Sequence, residues 1–286
     1  MNRDNLCAMN IHYRYYSLEY FFESCQLNGF KNAELWLCPQ HFFINYCDSE
    51  DPEILVELIK KYDVNIACLT PEQNNPKPNN IAARSKLLIN NTRLYFRKVI
   101  DLANYLHCPK VLVTPGWAYY DEPIKMATER SILMLQELCD YAKSFNIDLC
   151  MESIWKQSSN IAYDIKKVST LKKKIERDNF KLTVDLGALG DAGESIEDWF
   201  IEFGNDIAHC HFVDGTPTGH MPWGMGNRNM ANDLQEFYSN NYTGLFSLEY
   251  VNPVSYINPS QIDHMTVIKF EKAISKIGKN RKEVIT

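Results

Sequence analysis

Short apolar runs alternate with longer amphipathic runs along the whole chain. The short runs have the length and composition of β-strands, and the longer runs repeat their apolar residues with helical spacing. One helical run, residues 17–29, opens with the N-cap residue Ser17 and closes on Gly29. The pattern predicts eight strands, at residues 6–10, 32–37, 64–70, 109–116, 147–153, 180–187, 207–214 and 244–250.

A regular alternation of strand and helix is typical of a parallel sheet, because each crossover helix returns the chain to the start of the next strand. Eight such units within about 250 residues favour a closed (β/α)₈ TIM barrel over two doubly wound halves. No G-x-G-x-x-G turn follows the first strand, which disfavours a dinucleotide-binding fold. We therefore predict a single α/β domain over residues 1–286, a (β/α)₈ barrel with a polar tail at 278–286.

The composition is that of a soluble globular protein, with 45% hydrophobic and 23% charged residues. A net charge of −6 argues against a nucleic acid partner, since such binding uses clustered Lys and Arg. The N-terminus has no signal-like apolar stretch, and no run approaches the ~18 residues of a membrane helix, so we predict a cytoplasmic protein without a membrane partner. The nine cysteines form no C-x-x-C pair, and we assign them no chemistry.

The predicted strands five to eight all end in residues of the types that bind metal ions. Functional side chains of such barrels gather at the C-terminal ends of the strands. These four strands carry Glu152, Asp185, His211 and Glu249. Three carboxylates and one imidazole suit Mn²⁺, Mg²⁺ or Co²⁺, with positions left open for substrate oxygens. Crowded carboxylates repel one another, and no Arg or Lys lies in those strand ends, so we expect a cation between them.

Three further polar residues lie near these strand ends. His209 is on the same face of strand seven as His211 but one layer deeper, where we expect it to pack or to support the site. Asp214 is expected to orient His211 or the glycine-rich loop that follows. His220 lies in that loop and is a candidate for contact with a substrate or a metal.

Several short motifs occur in order along the chain: ELW with QHF, TPE, MES, VDLG, HCHFVDG with a following histidine and glycines, and SLEY. Their order and spacing, from about residue 9 to about residue 256, resemble the xylose-isomerase-like superfamily of sugar epimerases and isomerases. Within it, the chain looks most similar to the fructoselysine 3-epimerase group. That group shares ELW with a following proline and HF, TPE with an asparagine two residues later, and a strand-six motif without a histidine.

The resemblance implies a specific metal centre and reaction. Glu152, Asp185, His211 and Glu249 would hold one divalent ion, expected to be Mn²⁺, although Co²⁺, Mg²⁺ and Zn²⁺ also fit the ligand set. Glu152 and Glu249 would act as acid and base, inverting C3 of a ketose or a fructoselysine-type fructosamine through a cis-enediolate. The physical logic agrees, because a cation stabilises the enediolate charge and inversion requires a carboxylate on each face of a planar intermediate.

Residues in the loops past the strand ends are candidates for binding the sugar substrate. They are Trp36, His41, Glu72, Asn74, Trp117, Trp155 and His220. Aromatic rings suit the apolar face of a sugar, and Glu72 could bind hydroxyl groups or an amine. Members of the superfamily often carry a histidine in place of Ala188 and a glutamate in place of Ser158, and usually a proline and a glutamate where this chain has Trp223 and Met225. These departures leave free ketohexoses, ketose phosphates and amino-linked ketoses all open as substrates.

Other functions remain open at this point. An aldose–ketose isomerase or an inosose dehydratase of the same superfamily would use the same metal and enediolate chemistry. A type IV DNA-repair endonuclease is disfavoured, since its zinc cluster needs more rim histidines and its DNA a basic face. A barrel that binds without catalysis is disfavoured by the presence of both glutamates. The resemblance also implies a homo-oligomer, a dimer or a tetramer.

Overall fold

Eight parallel strands close into a barrel in the computed structural model, which describes residues 1–73, 78–215 and 219–277. The strands are β1 Leu6–Met9, β2 Asn32–Leu37, β3 Asn65–Pro71, β4 Lys110–Val113, β5 Asp148–Glu152, β6 Phe180–Asp185, β7 Ile207–His211 and β8 Phe246–Ser247. Each pairs with its neighbours in the sequence, and β8 pairs with β1 to close the ring. The predicted (β/α)₈ barrel is confirmed. The domain bounds stay a prediction, because the tail at 278–286 lies outside the described residues.

At least one helix follows every strand. The helices are α1 Leu18–Leu27, α2 Glu53–Tyr62, α3 Lys86–Tyr105, α4 Ile124–Lys143, α5 Ile165–Ile175, α6 Leu186–Ala192, α7 Ile196–Phe203, α8 Met230–Ser239 and α9 Pro259–Ile274. Ser17 caps α1 as predicted, since its side chain accepts a hydrogen bond from the backbone N–H of Tyr20. Gly29 follows that helix with a φ of +70°, in the left-handed region that favours glycine.

The strands at the rim end earlier than the apolar pattern predicted. β4 ends at Val113 rather than at residue 116, and β8 has two residues and ends at Ser247. Beyond Ser247, the N–H of Leu248 still donates to the carbonyl of Cys7 in β1, but those of Glu249 and Tyr250 donate to carbonyls two residues earlier, so the chain turns away from the sheet. Leu248 and Tyr250 are nevertheless fully buried. The hydrophobic pattern therefore overestimates the strand, because burial continues after the sheet has ended.

The interior of the barrel contains polar as well as apolar side chains. Glu34, Cys68, Cys150 and His209 are all fully buried, and the two-residue period of their strands places them on the inner face. All nine cysteines are free, and all except Cys47 are buried, which agrees with their assignment as small hydrophobic residues. Within the described ranges, no helix is both long and apolar enough to span a membrane.

Candidate metal centre and substrate cavity

Four ligand-type side chains meet at the C-terminal rim of the barrel. Glu152, Asp185 and His211 are the last residues of β5, β6 and β7, and Glu249 lies two residues beyond β8. Sheet register pairs Asp185 directly with His211. One ligand atom from each of the four lies within 4.8 Å of the others, so the structure brings together all four residues that were predicted to bind metal.

The geometry of these four side chains fits a divalent cation. Nδ1 of His211 lies 2.7 Å from Oε1 of Glu152, 3.1 Å from Oε2 of Glu249 and 3.7 Å from Oδ2 of Asp185. Oδ1 of Asp185 accepts a hydrogen bond from the N–H of Ala188, but its Oδ2 is buried and has no hydrogen-bond partner in the described part of the chain. A buried carboxylate oxygen without a donor is the kind of atom that a metal ion satisfies.

Strong electrostatic coupling links these groups. Burial raises the pKa of Glu152 to about 7, and the negative charge of Glu249 adds to that effect against the opposing attraction of His211. Burial alone would also raise the pKa of Glu249, but His211 and His220 outweigh it and lower that pKa to about 2. For His211, burial favours the neutral ring, yet the surrounding carboxylates raise its pKa well above the ordinary value. A bound divalent ion would therefore compete with a proton for Nδ1 of His211.

Glu34 on β2 contacts the ring of His211 from inside the barrel, and the sequence pattern did not single it out. Its Oε1 lies 3.1 Å from Nε2 of His211 and also accepts a hydrogen bond from the hydroxyl of Thr70, while its Oε2 lies 2.8 Å from Nε2 of His209. Burial would raise the pKa of Glu34, but the two imidazoles hold it well below its usual range. Because an ionised carboxylate only accepts, both rings donate from Nε2, which leaves Nδ1 of His211 facing the rim. His209 is one layer below His211, as predicted.

Asp214 organises the loop after β7. Its carboxylate accepts hydrogen bonds from four backbone N–H groups, those of Gly215, Gly224, Gly226 and Arg228, at 2.8 to 2.9 Å. Of the two expected roles for Asp214, the structure therefore favours ordering of the loop over direct contact with His211.

The ordered loop places His220 beside two of the four candidate metal ligands. Nε2 of His220 lies 3.2 Å from Oδ1 of Asp185, and its Nδ1 lies 2.9 Å from Oε2 of Glu249. The Trp155 ring meets the His220 ring edge-on at 5.8 Å. A Cβ atom on Gly187 would lie 2.6 Å from Cδ2 of His220, so glycine is needed there for the close approach.

A cavity of about 390 Å³ is lined by three of the candidate metal ligands, Glu152, Asp185 and Glu249. Among the predicted sugar-binding residues, those that line it are Trp36, Glu72, Trp155 and His220. Ser158 and Ala188, two of the departures from the superfamily pattern, also line it. A cavity of this size, with acidic groups at its base and indole rings in its wall, suits a sugar-sized ligand.

Two predicted sugar-binding residues, His41 and Trp117, are not among the described residues lining this cavity. His41 is buried, with Nδ1 at 2.7 Å from Asn10 Nδ2 and Nε2 at 2.9 Å from the carbonyl of Tyr16, and its pKa is lowered by burial. Both ring nitrogens of His41 therefore contact the segment between β1 and α1. Trp117 packs its ring edge-on against Tyr119 at 5.1 Å. Asn74 lies outside the described residues.

Comparison with known proteins agrees with this combination of barrel and rim residues. Residues 22–266 match the model of the xylose isomerase-like TIM barrel family, and the chain belongs to that family. The chain is also similar to fructoselysine 3-epimerase of Shigella flexneri, with 23% identity over 236 residues that cover 82% of this chain and 85% of the relative.

Two solved structures are similar in fold. An L-ribulose 3-epimerase has a TM-score of 0.78 at 15% identity, covering 98% of this chain and 97% of that chain. The IOLI protein, solved with a bound zinc atom, has a TM-score of 0.77 at 18% identity, covering 96% and 99%. At such identities the likeness establishes the fold. The predicted superfamily of sugar epimerases and isomerases is confirmed, and the candidate metal site is of a kind suited to a divalent ion.

Proposed function

We propose that this protein is a divalent-metal-dependent epimerase that inverts C3 of a ketose or of a fructoselysine-type fructosamine. The observation that carries the proposal is the convergence of Glu152, Asp185, His211 and Glu249 at the floor of a sugar-sized cavity. The similarity to a fructoselysine 3-epimerase over most of the chain supports the choice of reaction.

The four rim side chains would hold the ion through carboxylate oxygens and Nδ1 of His211. Mn²⁺ is the expected metal, since three carboxylates and one imidazole suit a hard ion, and Co²⁺, Mg²⁺ or Zn²⁺ can use the same donors. When bound, the ion would stabilise the negative charge that develops on the ketose oxygens as the C3 proton leaves.

Glu152 and Glu249 carry the proton transfers in this proposal. They come from β5 and from beyond β8, with β6 and β7 between them, so they reach the cavity from different parts of the rim. One carboxylate accepts the C3 proton on one face of the sugar, and the other returns a proton to the opposite face of the planar enediolate. Protonation of C3 from the opposite face inverts that carbon.

The sugar would bind against the indole rings of Trp36 and Trp155, with its polar groups facing Glu72 and His220. Trp117 and His41 are less direct candidates, His41 because its ring nitrogens already face Asn10 and Tyr16. Asn74, outside the described residues, stays a candidate. The cytoplasmic location and a homo-oligomeric state, dimer or tetramer, complete the proposal. A small-molecule sugar is the expected partner.

The test is proton exchange at C3, followed by NMR in D₂O with trace Mn²⁺ or excess Mg²⁺. Fructoselysine, fructose and tagatose would be compared for loss of the C3 proton signal and appearance of the 3-epimer. Glu152→Gln and Glu249→Gln should each abolish exchange. Glu194→Gln is the matched control, because this half-buried glutamate accepts hydrogen bonds from Trp199 and Ile165 and is not among the described residues that line the cavity.

Each alternative gives a different signal in the same experiment. Exchange at C1 with an aldose appearing would identify an isomerase, and loss of water from an inosose would identify a dehydratase. No exchange with any sugar, or full exchange by both rim variants, would overturn the proposal.

A further inference from the structure

Arg14 lies in the wall of the substrate cavity, and the proposed reaction gives it no role. It follows β1 and the short 3₁₀ turn Asn10–Tyr13, and it is partly buried. Among the described residues that line the cavity, it is the one with a permanent positive charge, whereas Glu72, Glu152, Asp185 and Glu249 also line it. A single guanidinium in a largely acidic cavity is suited to bind an anionic group of a ligand.

The guanidinium is held in a fixed orientation. Its Nε donates a hydrogen bond to the carbonyl of Ile11 at 3.0 Å. Its Cζ lies 4.4 Å from the centre of the Tyr256 ring and 5.4 Å from the centre of the Trp36 ring. These contacts involve the Nε–H donor and the faces of the guanidinium. They fix its orientation and leave the N–H groups of its two terminal nitrogens out of these contacts.

The two terminal nitrogens of Arg14 have no acceptor among the described residues. Most other arginines of the described chain are paired differently: Arg93, Arg130 and Arg177, for example, each make hydrogen bonds to a carboxylate at 2.6 to 2.9 Å. Arg14 instead keeps two parallel N–H donors within a cavity wall. That arrangement matches the two oxygens of a carboxylate or a phosphate, which guanidinium groups bind in a bidentate manner.

We infer that Arg14 is an anion subsite, and that the substrate is a ketose carrying a carboxylate or a phosphate away from its reacting carbon. The inference rests on the proposed function and narrows its substrate class. Glu152, Asp185 and Glu249 would repel such an anion from their part of the cavity, so Arg14 also fixes which end of the substrate lies over Glu152 and Glu249. A neutral ketose would lack that orienting contact.

Pairs of substrates that differ in one anionic group test this inference. Fructose 6-phosphate is compared with fructose, and fructoselysine with fructosylcadaverine, which lacks only the carboxylate. In the wild type, kcat/KM should be about 10- to 100-fold higher for the anionic member of one pair, as expected for a charge-assisted bidentate contact. The pair that shows the preference distinguishes a phosphate from a carboxylate.

Variants of Arg14 should change this preference in a graded way. Arg14→Gln should reduce the ratio of kcat/KM for the anionic substrate to kcat/KM for the neutral one to near one, chiefly through KM. Arg14→Lys should retain part of this preference, because lysine keeps the positive charge but lacks the paired N–H donors of a guanidinium. Arg97→Gln is the matched control, because Arg97 also stacks on a tyrosine, at 4.9 Å from Tyr141, but on the outer helix α3. It should keep the wild-type ratio.

A binding measurement separates this inference from the proposed function. Calorimetry with glucitol 6-phosphate against glucitol, and with the reduced, unreactive form of fructoselysine, reports on Arg14 without turnover. Binding of an anionic ligand that Arg14→Gln abolishes supports the subsite even if no sugar undergoes C3 exchange, in which case only the epimerase proposal fails. Equal kcat/KM within both pairs, or an unchanged ratio in Arg14→Gln, would overturn the subsite and leave the epimerase intact.

Discussion

Replacing Glu34 by glutamine should weaken metal binding without touching a metal ligand. The substitution keeps the shape of the side chain but removes a fully buried charge and turns one of its two acceptors into a donor. Oε1 and Oε2 of Glu34 accept from different rings, at 3.1 Å from Nε2 of His211 and 2.8 Å from Nε2 of His209. The glutamine amide can accept from only one of these rings.

The expected loss of metal affinity follows from the need of His211 to present an unprotonated Nδ1 to the ion. If the amide faces His211, the ring pairs best as the tautomer with its proton on Nδ1, the atom that should bind the ion. If the ring keeps its proton on Nε2, it loses a buried charge-assisted hydrogen bond. Either change should lower the affinity for Mn²⁺ by about 10- to 100-fold, the range found for residues that orient a metal-binding histidine. This corresponds to about 1.4 to 2.7 kcal/mol of binding free energy.

Calorimetric titration of the chelator-treated protein with Mn²⁺ at pH 8 measures that affinity. The ¹⁵N signals of the histidine rings report the tautomer of His211 directly, without metal and without turnover. Asp263→Asn is the matched control, since Asp263 is another buried carboxylate that pairs with Nε2 of His12 at 2.9 Å and accepts from the hydroxyl of Tyr13 at 2.6 Å. It should lower the free energy of unfolding but leave the Mn²⁺ affinity unchanged.

Wild-type affinity in Glu34→Gln, together with unchanged His211 ring signals, would refute the role assigned to Glu34. Equal losses of affinity in Glu34→Gln and Asp263→Asn would also refute it, because general destabilisation would then account for both.

Three further predictions concern the same rim. Metal affinity should rise as the pH increases through about 7, because burial raises the pKa of Glu152 to about 7 and the raised pKa of His211 means that the ion displaces a proton. Calorimetry in buffers of different ionisation enthalpy should find about one proton or more released per ion, and no release would contradict this. Gly187→Ala should displace His220, since its Cβ would lie 2.6 Å from Cδ2 of that ring, and kcat/KM should fall about tenfold or more at an unchanged Tm. Asp214→Asn should cost about 2 kcal/mol of unfolding free energy in urea titrations, because an amide nitrogen cannot accept the backbone N–H bonds it would face.

The hydrophobic pattern was sufficient to predict the barrel and to place four ligand-type residues at one rim. Strand ends are local features of sequence, and a closed parallel barrel brings the C-terminal ends of all its strands to one rim. Glu152, Asp185 and His211 therefore needed only correct strand assignment. Glu249 was placed correctly although β8 is only two residues long, because the chain stays buried beyond the sheet.

Contacts across the barrel could not be predicted in the same way. Glu34 and His211 are 177 residues apart in the sequence and meet because β2 and β7 both turn these residues inward at similar depth. The sequence signal for Glu34 was present, since it is an acidic residue in an otherwise apolar strand on the same face as Trp36. Its partner was not visible, because strand periodicity gives the face of a residue and its depth within its own strand, but not its depth relative to residues of other strands.

Loop residues show a second limit. Trp155 and His41 both follow strand ends, yet Trp155 lines the cavity and His41 faces Asn10 and the carbonyl of Tyr16. Proximity to a strand end says where a backbone lies and not where its side chain points. Arg14 was overlooked for the same reason, since its placement against Trp36 and Tyr256 depends on loops from opposite ends of the chain.

The charge balance at the rim gives a stronger reason for a metal ion than crowding of carboxylates alone. No Arg or Lys lies in those strand ends, but His211 and His220 supply positive charge, because the surrounding carboxylates raise the pKa of both rings. An imidazolium nevertheless offers a single proton at Nδ1, and three carboxylates lie within 2.7 to 3.7 Å of that atom. One proton cannot serve three acceptors, and Oδ2 of Asp185 is accordingly left without a donor among the described residues. A divalent ion can be coordinated by all three carboxylates and the ring nitrogen at once. Its coordination number, more than its charge, is therefore the reason that it suits this site.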